Sequence, residues 1–537
     1  MDFAAQGISG NFSPIDWVIV AVYLCGTIVI GLVANRYVSN MADYVVAGRA
    51  LKSYLGVATL IGTEFGLVSV VCGSQLGFTG GFSALHLGVL GLVVTLFVGV
   101  TGVILVPLRR SGVMTIPEYY EKRFGRGARV LGGLIIVVAG LVSMGFFVKA
   151  GAVFVMGLTG MTNPLHLKLF MSGMVLLVLF YTALGGMVSI VIADYVQFVV
   201  MSIGLTVVCL LGIYHLGWDN IISTVSAGRG EAGFNPFHEQ GFGPAYVLYM
   251  AFGAFASCAL WQTSVIRACA AKNTRTVKRI ISASSIGFMT RMTIPIFLGV
   301  CAYVFISQHE SLKEVFLSEA ASKDPERTMM ATAVYLGQLV PTGLMGLVSA
   351  GMLAAFLSTH DSYLLCWSAV FIQDVIAPCT RGGLSTKTRL ILSRLFLLGE
   401  GVFILVFGLW YPLGQNLWDF MVTAGGVYWL GAAPVLILGI YWKRASRVGA
   451  YLAMVTGFGA FLGFKPVQAL VGRLLGSLAV ATHCDTLLGP SRMETLRHLE
   501  LPTPQVALCV AGLAFVLMVI GSLLFSDRHG PPLVEEA

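Results

Sequence analysis

Long apolar runs alternate with short polar segments along almost the whole chain. Thirteen runs are long and apolar enough to cross a hydrocarbon core of about 30 Å. They lie at roughly 14–35, 53–78, 81–107, 129–157, 164–183, 187–212, 244–268, 281–306, 343–372, 388–411, 415–441, 447–464 and 503–526. The runs are continuous rather than alternating in short segments, which excludes a β-barrel. The pattern therefore predicts an all-α polytopic membrane protein with about 13 transmembrane helices. The second, seventh and ninth runs are interrupted by Gly, Ser, Thr and single charges. The first run is too long for a signal-peptide core and lacks a basic segment before it, so it is expected to stay in the membrane.

Charge between the runs orients the chain. Basic residues gather at Arg36, Arg49 and Lys52, and at Arg109, Arg110, Lys122, Arg123 and Arg126. Further groups are Arg267, Lys272, Arg275, Lys278 and Arg279; Arg381 and Lys387; and Lys443, Arg444 and Arg447. With thirteen spans all these groups fall on one side. The opposite loops, such as 213–243 and 308–340, are longer and neutral or acidic. The positive-inside rule then places the N-terminus outside and the C-terminus in the cytoplasm. The segment 465–502 reads as an external amphipathic connection.

Composition narrows the class. Of 537 residues, 57% are hydrophobic and 11% charged, and 64 are glycine. Ordinary soluble domains carry about 25% charged residues, so disorder, a soluble multidomain enzyme and a secreted disulfide scaffold are excluded. The net charge of +8 sits in the loops and calls for no nucleic acid. The ten cysteines form no CxxC pair, and most lie in apolar runs as small packing residues. No P-loop, HExxH or zinc spacing appears, and no catalytic constellation, so an enzyme is not expected. The sequon at Asn11 is followed by Pro14, and the external loops lack paired cysteines, which points to a bacterial inner membrane.

Ionisable residues inside spans mark the candidate chemistry, because each costs at least about 2.5–3.5 kcal/mol to insert. Glu64 stands between Gly62 and Gly66, where a locally unwound helix would expose carbonyls to a cavity or an ion. The alternative is a salt-bridged Glu that joins helices. In the ninth run, Ala355, Ser358, Asp361 and Ser362 share one helical face with Thr359 at its edge. Hydroxyls beside a freed carbonyl suit a hard cation, although such residues also serve as interhelical hydrogen bonders. Asp194 reads as an ion site, a proton acceptor or a cap. Arg291 could clamp an anionic solute or neutralise Glu64, and His86 could contact solute or be a satisfied core residue.

Several motifs carry a resemblance. Tyr181-Thr-Ala-Leu-Gly-Gly-Met-Val-Ser189 with Ala193-Asp194-x-x-Gln197, and Thr115-Ile-Pro-Glu-Tyr-Tyr-Glu-Lys-Arg-Phe124, are present. So are Asp43-Tyr-Val-Val-Ala-Gly-Arg49, Trp261-Gln262 to Arg267 with Ala270-Ala-Lys272, and Pro341-x-Gly-Leu-x-Gly-Leu347 through Ser358-Thr359. Over about 40–440 the chain resembles the sodium:solute symporters, which include sugar, proline, pantothenate and choline carriers.

The resemblance implies a leucine-transporter-like core of two inverted five-helix units, at 53–212 and 244–441, joined by the external loop 213–243. Residues 1–52 and 442–537 would add an N-terminal helix, two C-terminal helices and a short cytoplasmic tail. It implies a sodium site from the carbonyls of Gly62, Phe65 and Ala355 and the hydroxyls of Ser358 and Thr359. Asp194 would serve a second ion or coupling. Glu64, His86, Arg291 and Asp361 would bind solute. The sugar carriers' aromatic gate meets Ala254, Ala256, Ser257 and Cys258 here, which argues against a sugar. A Glu64–Arg291–Asp361 trio would suit a charged or zwitterionic solute imported with sodium. A proton-coupled symporter of the same fold and a solute sensor are the alternatives.

Overall fold

The structure, a computed structural model, describes residues 12–34, 46, 49–161, 163–322, 324–380, 383–410, 416–481, 494 and 500–525. Arg36, Arg381, the tail 527–537 and most of the 43–49 motif and of 482–499 lie outside the described residues. The described residues are helical with short connections and one isolated β-bridge between Leu51 and Ala271. In a bilayer every backbone group must be paired within the protein, so apolar runs resolve as helices.

The chain opens with an N-terminal helix and the first helices of the core. They are α1 (Pro14–Ala34), α2 (Ser53–Glu64), α3 (Leu67–Gly80) and α4 (His86–Thr101). The second expected span is broken between α2 and α3. Phe65 has φ −88° and ψ 53°, and Gly66 has φ −81° and ψ 170°, both off the helical path. The chain continues through α5 (Arg126–Met144), α6 (Phe147–Thr159) and α7 (Pro164–Leu216). A straight helix from 164 to 212 would measure about 72 Å. Yet Gly157, just before α7, abuts Met330 and Ala333, while Gly212 abuts Tyr335. Tyr181 and Asp194, both in α7, also bond the same Ser358–Asp361 turn of the second half, so the chain folds back within α7 as two spans, Leu165–Ala183 and Ile190–Leu216.

The second half opens with α8 (Gly243–Phe255) and α9 (Gln262–Ala270), separated by a wide π turn at Ala256–Leu260 and an extended Trp261. It continues with α10 (Thr274–Ser307), α11 (Pro325–Leu339), α12 (Leu344–Val370), α13 (Thr386–Trp410) and α14 (Leu417–Tyr441). The polar residues of the ninth span do not interrupt it: α12 is unbroken over 27 residues. They hold contacts to α7 instead, where Gly351 packs on the backbone of Met201.

Small residues let α10 serve as the spine. A Cβ on Gly77 would stand 1.9 Å from the Ile296 carbonyl, and one on Gly299 1.9 Å from the Ser74 carbonyl. Gly91 and Gly99 bring α4 equally close to Phe288 and Ser282. The order of these contacts shows α2–α3 rising along α10 from Ile280 to Gly299 and α4 returning from Thr293 to Ser282. Close backbone approach of this kind substitutes for hydrophobic drive between helices in lipid.

Beyond the core, α15 (Arg447–Thr456) runs into a 3₁₀ stretch at Gly457–Gly463. Together they extend about 29 Å, because 3₁₀ residues rise further than α residues. They lie antiparallel to the last helix: Gly449 meets Ser522, Gly459 meets Val510 and Gly463 meets Thr503. Between the two, α16 (Lys465–Ala481) turns away by 96°, and α17 (Thr503–Leu524) closes the described chain. By length and hydropathy alone the described residues offer 10 spanning helices, or 11 with the bent pair. Thirteen follows once α1 is counted and the stretch Leu67–Thr101 is divided at the turn before His86, α3 joining α2.

The basic loops gather at one end. Arg109 donates to the carbonyls of Ala271 (2.7 Å) and Lys272 (3.2 Å), and Leu51 bonds Ala270 at 3.1 Å. Arg123 donates to the carbonyls of Gly439, Trp442 and Lys443, and Arg447 to that of Phe124. Arg267, counted with these loops by position, is not a loop charge. It sits in α9 with a side chain only 1% exposed.

Candidate functional site

Two backbone breaks face the middle of the helix bundle, and what surrounds them makes the site. At the α2–α3 break the helical ladder stops, and the hydroxyl of Ser69 caps the Glu64 carbonyl at 2.9 Å. The break lies against α12. A Cβ on Gly66 would stand 1.8 Å from Thr359 Oγ1, so only glycine permits this approach. Thr359 Oγ1 is 3.3 Å from the carbonyl of Thr63 and 3.1 Å from that of Ala355.

The five residues expected around sodium are distributed across this junction. Gly62 and Phe65 end α2, with Gly62 packed on the backbone of Asp194. Ala355, Ser358 and Thr359 form one turn of α12, all buried. Ser358 donates to Asp194. A hydroxyl that gives its proton to a carboxylate leaves its lone pairs for a cation, so the donor set fits a hard, oxygen-liganded ion.

Asp194 is fully buried. Besides Ser358 it accepts from Thr59 and from Thr63 (3.2 Å) and pairs with Arg267 at 3.4 Å. Arg267 also donates to Thr59 (3.2 Å), to Thr63, to Ser362 (2.8 Å) and to the carbonyl of Thr263 (3.0 Å). A buried charge persists only when paired and hydrogen-bonded, and here both partners are. Sequence reasoning missed Arg267. Its signal was available: a cation at the end of an interrupted apolar run.

The expected trio resolves into a pair and a separate carboxylate. Glu64 and Arg291 are joined by an ion pair. Ser257 and Thr263 each donate to Glu64 at 3.3 Å, and Arg291 reaches Ser257 at 3.2 Å. Arg291 lies over the Phe288 ring at 4.3 Å. Asp361 faces elsewhere and accepts from Tyr181 at 2.7 Å and Ser362 at 3.2 Å. α12 directs Asp361 toward α7, on the side of the Asp194 network.

Glu64 and Arg291 line a cavity of about 120 Å³, several times the roughly 30 Å³ that a liquid water occupies. Ala254, Ala256 and Ser257 also line it, and Cys258 does not. The aromatic wall that α8 lacks comes from elsewhere: Trp418 and Trp429 of α14, Trp261 at the second break, and Tyr363 of α12. Trp261 Nε1 donates to Tyr363 Oη at 3.0 Å. His86 is outside this lining. It stands at the start of α4 between the rings of Phe242 and Tyr246, its Nδ1 2.7 Å from the Ser83 carbonyl.

Paired broken helices around a membrane-embedded cavity, with helices crossing between the two halves, define an integral membrane protein of the leucine-transporter type. The chain belongs to the sodium:solute symporter family, whose profile matches residues 44–457. It is 26% identical over 423 residues to the sodium/myo-inositol cotransporter 2 of Bos taurus, covering 72% of this chain and 59% of that protein. It is 25% identical over 426 residues to the sodium/glucose cotransporter 1 of Oryctolagus cuniculus, covering 72% of this chain and 62% of that one. The chain thus spans about three fifths of these relatives' length. Its fold is similar to that of a Na+-coupled sialic acid symporter in a substrate-bound outward-open state. The TM-score is 0.74 at 17% identity, over 96% of this chain and 99% of the other.

Proposed function

We propose that this protein is a secondary active transporter that imports a small charged or zwitterionic organic solute together with sodium. The observation that carries the reading is the Gly66–Thr359 contact, which sets a broken helix end against a hydroxyl-bearing helix turn. Sodium binds among Gly62, Phe65, Ala355, Ser358 and Thr359 and ties α2 to α12. Solute binds in the adjoining cavity beside Glu64 and Arg291. Because the two sites share the α2–α3 break, each ligand favours the conformation that the other needs. Such linkage extends only as far as each ligand's differential affinity for the two states. Asp194, held by Arg267 and Ser358, transmits the state of the sodium site to α7, and the membrane potential adds about 2.3 kcal/mol per charge per 100 mV. The basic end faces the cytoplasm of a bacterial cell, with the N-terminus outside.

Family membership and the oxygen donor set at the break support sodium over a proton as the coupling ion. The test is a thermal-shift screen of purified protein across amino acids, carboxylates, vitamins, sugars and quaternary amines, in sodium chloride and in potassium chloride. Sodium-dependent stabilisation by one solute class, lost in S358A and T359A, is expected. Stabilisation equal in both salts would overturn sodium coupling.

A further inference from the structure

The central cavity has a chemistry that the names of its curated relatives do not suggest. Glu64 and Arg291 are the only acidic and basic side chains in its lining among the described residues. They contact each other, so the wall carries no net charge. Arg291 Nε is buried with no hydrogen-bond partner. Guanidinium offers five N–H donors, of which Arg291 spends two on Glu64 and Ser257, and Glu64 accepts three bonds of about four a carboxylate can take, so each group keeps some capacity.

Five of the wall's hydroxyls already donate elsewhere, and that of Tyr363 accepts from Trp261. Thr63 donates to Asp194 at 3.2 Å, Ser69 to the Glu64 carbonyl at 2.9 Å and Ser143 to the Met421 carbonyl at 3.3 Å. Ser257 donates to Glu64 at 3.3 Å and Thr359 to the Ala355 carbonyl at 3.1 Å. A polyol brings several hydroxyls that each need partners when buried, and apart from the ion pair and Tyr363 this wall of committed hydroxyls and aromatic rings supplies few. A singly charged solute fares poorly for another reason. An anion on Arg291 sits against the Glu64 carboxylate, and a cation on Glu64 sits against Arg291, so one buried charge is always repelled.

We infer that the solute is a zwitterion on an apolar or aromatic body, of the kind a neutral amino acid presents. Its carboxylate takes the free edge of Arg291 and its ammonium takes Glu64, so the internal pair is replaced by two external ones with charge balance kept. The body lies against Trp261, Trp418 and Trp429, whose faces also attract the ammonium. This inference rests on the transport reading above and narrows its substrate.

The experiment compares matched ligands on the full-length purified protein in sodium chloride. The probes are L-phenylalanine and L-leucine as zwitterions, glycine betaine as a quaternary zwitterion, phenylalanine methyl ester as the cation, 3-phenylpropionate as the anion, and D-glucose and myo-inositol as polyols. A zwitterion is expected to stabilise the protein with at least tenfold tighter apparent affinity than either singly charged analogue, and the polyols to give no shift. In the E64Q/R291Q double variant, which leaves no unpaired buried charge, zwitterion binding is expected to fall at least thirtyfold while the shift caused by sodium alone persists. A polyol or a singly charged analogue binding as tightly as any zwitterion overturns the inference, as does undiminished zwitterion binding in the double variant. A sodium response with no response to any zwitterion also overturns it and leaves the transport reading standing. Loss of the sodium response itself would instead strike the transport reading.

Discussion

Gly66 and Thr359, nearly three hundred residues apart in sequence, meet so closely that a single added carbon at Gly66 would stand 1.8 Å from the threonine hydroxyl. The contact joins the two halves of the fold at the point where backbone carbonyls are released from helical pairing.

Gly66→Ala is therefore expected to push α12 away from the break. Overpacking of this kind costs about 1–3 kcal/mol, and here the displaced atom is one of the proposed sodium ligands. Sodium-induced stabilisation should weaken by about tenfold or more in apparent sodium affinity. A G66A protein with unchanged sodium response would show that the contact is packing alone.

Ser358 and Thr359 should differ in their effects. S358A removes both an oxygen at the break and a hydrogen bond to Asp194, whereas T359A leaves the Asp194 network intact. Each is expected to raise the sodium concentration for half-maximal stabilisation about tenfold, equivalent to about 1.4 kcal/mol. S358A alone should also lower stability in sodium-free buffer.

The Asp194–Arg267 pair is expected to behave as a unit. R267Q strands a fully buried carboxylate, and D194N strands a buried guanidinium, each at about 3–5 kcal/mol. The double variant D194N/R267Q should recover part of that loss, because no unpaired charge remains. A double-mutant cycle read from unfolding midpoints in detergent checks the prediction, and additive losses would contradict it.

Asp16 tests whether α1 lies outside the working core. Its carboxylate accepts from the backbone N–H of Gly343 (2.8 Å) and Gly346 (2.6 Å), pinning α1 to the start of α12. Hydrogen bonds to charged groups contribute about 1.5–3 kcal/mol. D16A should lower thermal stability by an amount in that range while leaving apparent sodium affinity within about twofold of the parent. A large change in sodium affinity would instead place α1 in the coupling machinery.

Much of the architecture is legible in the sequence. Glycines flanking Glu64 signalled the first break, and the interrupted seventh run signalled the second, because glycine and small polar residues weaken a ladder that lipid otherwise enforces. The ninth run carries similar polar residues, which the spacing places on one helical face, and α12 is continuous there. Its serines and threonines point into crossings with α2 and α7 and bond across them, which composition alone does not distinguish from a break. The aromatic wall was not foreseen at α8 because it is assembled from α14, the second break and α12, elements distant in the chain.

The sequence by itself determined that the chain is built from membrane-length helices, roughly where they run and which end gathers the basic loops. Hydropathy and backbone pairing in a bilayer act locally, and charge asymmetry is counted loop by loop. Only the tertiary structure decided which charges meet. Glu64 found Arg291 across 227 positions, and Arg267 found Asp194 across 73. Asp361 was turned away from the first pair toward Tyr181. Partner choice among buried charges depends on where helices cross and which face each presents there, and that geometry is set by the packing of the whole bundle.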